Sequence, residues 1–133
     1  MTPNDLWIFA KTIWGESRGE SIEGQIAVAH VIVNRAARGG WWGSNIPGVC
    51  VKPHQFSCWN EGDPNRAKMG DIDLDDHAFA RAVSIAAGVL SGDLPDTTGG
   101  ATHYHPTAIA PTWAAGHEPS ARVGNHVFYN SVR

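Results

Sequence analysis

The first run with chemical potential is Gly15-Glu16-Ser17-Arg18-Gly19-Glu20. Glu16 follows an apolar stretch and lies close to Trp14. A carboxyl group in a partly dry cleft has its neutral form favoured by desolvation. Such a group can donate a proton to a glycosidic oxygen. Glu20 is four residues on. If the helix continued, both carboxyls would share one face within ~6 Å, near the ~5–5.5 Å that a retaining glycosidase needs. The bland alternative is two solvated helix-end residues, with Glu20 paired to Arg18 or Arg35.

Further candidates lie downstream. Pro53-His54-Gln55-Phe56-Ser57-Cys58-Trp59-Asn60 mixes amide, hydroxyl and aromatic groups, which suits the polar rims and apolar faces of sugars. A loop anchored in the core by Phe56 and Trp59 would also explain its aromatics. In Gly99-Gly100-Ala101-Thr102-His103-Tyr104-His105-Pro106, an extended strand would set His103 and His105 on one face. With His117 or His126 they could hold zinc, and Glu16 would then act as a base; histidines bonded within a polar groove are the alternative. Asp71-Ile72-Asp73-Leu74-Asp75-Asp76 starts like a calcium loop. It has Asp76 where that loop needs glycine and Ala82 where it needs glutamate, so it reads as the acidic start of a helix. There is no glycine-rich phosphate cradle with a lysine, no G-x-S-x-G and no H-E-x-x-H. Nothing around Cys58 points to an activated thiolate.

Three helices must position these groups. Residues 3–19 have Thr2 as cap, Pro3 at the first position and Asp5 completing a capping-box pattern. Leu6, Phe9, Ala10 and Ile13 form the apolar stripe. Residues 22–38 run from a Ser21 cap to Gly39. Ile22, Ile26, Ala29 and Val33, widened by Val28 and Ile32, make this helix central. Residues 76–91, capped by Asp75 and ended by Gly92, carry the stripe Phe79, Ala82, Val83, Ala86, Val89 and Leu90. Residues 40–74 are rich in Gly, Pro and Asn, yet hold Trp41, Trp42 and Trp59. They read as a long but packed loop, because buried aromatics offset the cost of ordering it. Short extended runs are expected at 101–105 and 126–129, with Gly124-Asn125 turning the chain before the second. The expected fold is therefore mainly α (α+β), a single domain with a short β-hairpin and long loops.

At 133 residues the chain suits one domain with a real core. Its 42% hydrophobic and 17% charged residues argue against disorder. The net charge of −3 demotes nucleic acid as a partner. No apolar run is long enough for a membrane span. The N-terminus has no cationic start or cleavage pattern of a secretory signal, so synthesis in the cytoplasm is expected. Cys50 and Cys58 could form a disulfide worth about 2.6 kcal/mol on the chain-entropy formula, or stay as thiols in a reducing cytosol.

Taken in order, AKTIWGESRGE (10–20), GQIAVAHVIVNR (24–35), KPHQFSCWN (52–60), VLSGDLPDTTGGATHY (89–104) and RVGNHVFYN (122–130) resemble the SleB/CwlJ-type cell-wall hydrolases. These include spore-cortex-lytic enzymes and related phage and bacterial peptidoglycan hydrolases. The resemblance implies a lysozyme-like helical fold related to lytic transglycosylases. It implies cleavage of the β-1,4 bond between N-acetylmuramic acid and N-acetylglucosamine, with Glu16 as the catalytic acid. It marks Gln55, Ser57 and Trp59 as groove residues, with Phe56 taken beside them, and His103 and Tyr104 as further substrate contacts. Asn34 and Arg35 match the family's N-R pair and read as structural support. No cofactor or metal is implied, the partner is the peptidoglycan glycan strand, and a monomer is expected. The absent signal suggests a phage-type endolysin that reaches the wall through a holin-made hole. The competing readings are a zinc amidase or peptidase using His103 and His105, and a non-catalytic glycan-binding module.

Overall fold

The computed structural model describes residues 2–53 and 55–132; His54 of the aromatic run lies outside them. Helix α1 (Pro3–Ser17) starts as its sequence dictates. Thr2 accepts from the Asp5 N–H, and the Asp5 carboxylate accepts from the Thr2 N–H, each at 3.1 Å. The helix stops at Ser17, two residues short of the expectation, and Arg18 N–H closes the last turn on the Trp14 carbonyl. Helix α2 (Ile22–Arg38) has the expected bounds, with Ser21 accepting from Gly24 and Gly39 at φ +70° ending it. Helix α5 (His77–Ser91) begins one residue later than expected. Asp76, not Asp75, is the cap and accepts from Phe79 N–H.

The expected loop over 40–74 is not continuous. It contains helix α3 (Ile46–Val51) and helix α4 (Pro64–Asp71), with 3₁₀ turns at Gly40–Trp42 and Ser57–Trp59. Asn45 caps α3 and Asp63 caps α4, each just ahead of a proline near the helix start. The expectation that this stretch is packed holds for Trp42 and Phe56, whereas Trp41 is 69% exposed.

Strands β1 (His103–Pro106), β2 (Ala121–Val123) and β3 (His126–Tyr129) form an antiparallel sheet in the order β1-β3-β2. The expected hairpin is present, but it joins β3 to β2 through Gly124 at φ +56°, and β1 pairs on the other side of β3.

α2 is central, as its wide apolar face required. Ala29 and Ile32 enter the main core with Phe9, Ile13, Phe79 and Ala86 from α1 and α5. Ala27 and Val31 meet Ala101 and Phe128 under the sheet. Ile22 is 47% exposed and drops out of the buried face. One close approach matters for the site: a Cβ at Gly15 would lie 2.7 Å from Cβ of Cys58. Only glycine lets α1 come this near the 57–59 turn.

Candidate active site

Glu16 stands on the last turn of α1 and is half-buried. The backbone N–H of Cys58 donates to its Oε1 at 3.4 Å, and the Cys58 thiol bonds to the same carboxyl. Burial raises the carboxyl above its ordinary value; the two Cys58 donors oppose the rise, Asp63 adds to it and Arg35 opposes it. The net effect favours the protonated form, as an acid catalyst needs. Burial, and then the neighbouring Glu16, also pushes the Cys58 thiol up, so it stays a proton donor.

Arg35 and Tyr104 act electrostatically with the Glu16 carboxyl. Arg35 Nε donates to the Thr102 carbonyl at 2.7 Å. Its guanidinium lies 5.2 Å from the Phe56 ring centroid and 5.8 Å from that of Trp42. Asn34 Nδ2 donates to the Ala101 carbonyl at 2.9 Å and to Asp96 Oδ2 at 3.1 Å. The Asn-Arg pair thus clamps the segment leading into β1 onto α2, and Arg35 also faces the acid. Tyr104 stacks on Phe128 at 5.6 Å and meets the edge of His126 at 5.1 Å. Burial, then the negative field of Glu16, raises its phenol well above the usual range, so it is neutral.

The other expected residues divide. Ser57 is exposed beside the acid's partner Cys58. Trp59 donates its indole N–H to Thr12 Oγ1 at 2.8 Å and lines a surface hollow with Lys52, Asn60 and Arg66. Gln55 Nε2 donates to the Val49 carbonyl at 2.6 Å, tying the loop to the end of α3. Phe56 requires a correction. It is 3% exposed and packed in the main core beneath Arg35, so it supports the site and cannot touch substrate. His103 is half-buried between Trp42 and Trp113, at centroid distances of 5.6 and 5.3 Å. Burial and the adjacent Arg35 and Arg38 push it down to about 4.

Two alternatives are also corrected. Because α1 ends at Ser17, Glu20 does not share a face with Glu16. It turns to His126, with Oε1 3.3 Å from Nδ1, and pairs with neither Arg18 nor Arg35. Arg18 instead stacks over Trp14 at 4.1 Å. His103 and His105 do share a face of β1, but Trp113 packs against both. His105 is bonded to the Tyr129 hydroxyl, and His117 to Ser131. Among the described residues no three His, Cys, Asp or Glu side chains gather into a metal-binding group. Cys50 and Cys58 are both buried free thiols.

Sequence reasoning missed Cys58 as the acid's neighbour and treated Arg35 as support alone. Neither residue has a spacing that reports its contact with Glu16; the one signal was a glycine directly before the acid.

The family of cell wall hydrolases matches residues 19–129. The chain belongs to this family. The match begins just past Glu16, but the likeness to individual cell wall hydrolases reaches across it. The spore cortex-lytic enzyme of Halalkalibacterium halodurans is 34% identical over 128 residues, covering 96% of this chain and 35% of that protein. The spore cortex-lytic enzyme of Bacillus subtilis is 28% identical over 125 residues, covering 94% of this chain and 37% of that protein. The chain thus spans little more than a third of these relatives. The catalytic domain of the Bacillus cereus SleB protein superposes with a TM-score of 0.72 at 26% identity, covering 97% of this chain and 91% of that one. The catalytic domain of the germination-specific lytic transglycosylase SleB from Bacillus anthracis gives 0.69 at 28% identity, covering 98% and 97%. The mainly helical fold with its small antiparallel sheet is therefore that of the SleB catalytic domains.

Proposed function

We propose that this chain cleaves the β-1,4 bond between N-acetylmuramic acid and N-acetylglucosamine in peptidoglycan, with Glu16 serving first as acid and then as base. The observation that carries this reading is the half-buried Glu16 carboxyl, raised chiefly by burial and flanked by Arg35 and Tyr104. The nearby carboxyls have other duties: Asp63 caps α4 and Glu20 faces His126. The names of the similar proteins, spore cortex-lytic enzymes and a lytic transglycosylase, support the substrate class.

In the first step Glu16 passes its proton to the leaving glycosidic oxygen as the C1–O bond breaks. Positive charge develops at C1 of the muramic residue. The new Glu16 carboxylate then takes the proton of that sugar's 6-hydroxyl, whose oxygen bonds to C1 and closes a 1,6-anhydro ring. Water attacking instead would give a reducing muramic end. The positive field of Arg35 favours the carboxylate between the steps. Ser57, Trp59, His103 and Tyr104 are read as groove contacts, and Gln55 as the residue that fixes their loop. A phage-type lysin setting is the cellular role expected from the sequence; the relatives named above are spore-cortex enzymes.

Mass spectrometry of digested peptidoglycan tests the reaction. Anhydromuramic ends, absent with Glu16→Gln, are the expected result. Freed peptides that disappear on chelation would replace the reading with a metal-dependent amidase. Binding without new products would replace it with a glycan-binding module.

A further inference from the structure

Trp41 is the most exposed large apolar side chain among the described residues, at 69%. Two features set its direction despite this exposure. The Lys52 ammonium lies 4.2 Å from its ring centroid and also donates to its backbone carbonyl. Gly39 and Gly40, both at φ +70°, carry the chain out of α2 in a conformation that other residues resist. The turn they start sends Trp42 inward and Trp41 outward.

Trp41 forms the outer wall of a hollow of about 530 Å³, shared with Arg38, Gly39, Trp42 and His103. Lys52 is not part of this lining. Arg38 is fixed by the Val132 carbonyl at 3.4 Å and lies 5.3 Å from the Trp42 ring centroid. His103 Nδ1 is bonded to Thr102 Oγ1, which leaves Nε2 for a ligand. The imidazole is neutral at neutral pH and does not repel Arg38. The hollow is not centred on Glu16. Arg35 connects the two, packing against Trp42 while acting on the acid.

An exposed indole, a neutral ring nitrogen and a guanidinium match a pyranose with hydroxyl and acetamido substituents. The indole takes the apolar sugar face, and the polar groups take the rim oxygens. We infer that this hollow is a subsite for an N-acetylhexosamine of a glycan strand, displaced along the strand from the bond that Glu16 cleaves. Trp41 stacks on the sugar, and His103 Nε2 and Arg38 bond its oxygens. The inference rests on the glycan-cleaving reading and extends its groove.

The test is binding of the N-acetylglucosamine hexamer to the whole chain in the Glu16→Gln background, so that the probe is not consumed. Titration calorimetry should show Trp41→Ala weakening binding about tenfold, the order for one lost aromatic stacking contact. Trp41→Phe should recover most of it, and Lys52→Ala should lose part of it by freeing the ring. In the amide and indole NMR spectrum, the Trp41 indole N–H should shift on titration. Unchanged hexamer binding by Trp41→Ala, with a thermal melt matching the parent, would overturn the subsite and leave the Glu16 chemistry standing. The separate failure of the unsubstituted chain to release glycan fragments would remove the enzyme reading, whatever the hexamer does.

Discussion

Glu16 does its proposed work because folding makes its charge costly. Its carboxyl is raised in the folded state, chiefly by burial, above the ordinary 4.5. Protons are then bound more tightly by the folded chain, so stability falls as pH rises from the unfolded value through the folded one. Glu16→Gln removes that cost. It should melt higher than the parent at pH 7, with the gap closing in acid, while glycan cleavage falls by about 10²–10⁴-fold. Thermal melts across pH, beside a wall-lysis assay, check both halves. The proposed mechanism needs the protonated form, so kcat/KM should fall on the alkaline side of the raised pKa. Cys58 sets where that limb lies. Its thiol bond favours the carboxylate; Cys58→Ala should therefore move the limb to higher pH. Cys58→Ser, with a stronger donor, should move it lower. A pH–rate profile unmoved in both variants would remove the thiol from this role.

Among the elements, α1 matters most through where it stops. A further turn would keep Glu20 on the same face as Glu16. Ending at Ser17 sends Glu20 to His126 and leaves Glu16 beside Cys58 without it. The approach of α1 to the 57–59 turn depends on Gly15. A methyl there meets Cβ of Cys58 at 2.7 Å, and the short cysteine side chain cannot swing away. Gly15→Ala should cost about 1–3 kcal/mol by overpacking, and it should impair cleavage more than its stability loss alone would. Thr2→Ala is the contrast. Loss of that cap should cost about 1 kcal/mol with kcat unchanged, since the cap lies at the far end of the helix. Chemical denaturation and kinetics on the two variants separate packing from positioning.

Taken as a whole, the 133-residue chain carries a net charge of −3. On the proposed reading, the charge of this chain gives no long-range attraction to an anionic wall polymer. On the proposed reading this chain binds through groove contacts, and close contacts are screened less than distant ones. The cleavage rate on soluble glycan strands should change less than about threefold between 0.01 and 0.15 M salt. A steep fall with salt would place charge steering above groove contacts.

The sequence by itself determined the three long helices and most of their ends, although it carried α1 past Ser17 and placed the α5 cap at Asp75 in place of Asp76. Thr2, Ser21, Gly39 and Gly92 act on backbone groups a turn away, and the apolar periods of α1, α2 and α5 are local properties. It also marked Glu16 as a carboxyl beside apolar residues. It did not show α3, α4 or β2, which are too short to hold themselves and form only against the core. Nor did it show that Phe56 faces inward and Trp41 outward, since both are aromatics in one irregular segment. Only the tertiary structure decided which groups surround the acid. Cys58 arrives from a turn, Arg35 from α2 and Tyr104 from a strand, and these contacts join residues far apart in the chain. Burial, which raises the Glu16 carboxyl, exists only once they have met.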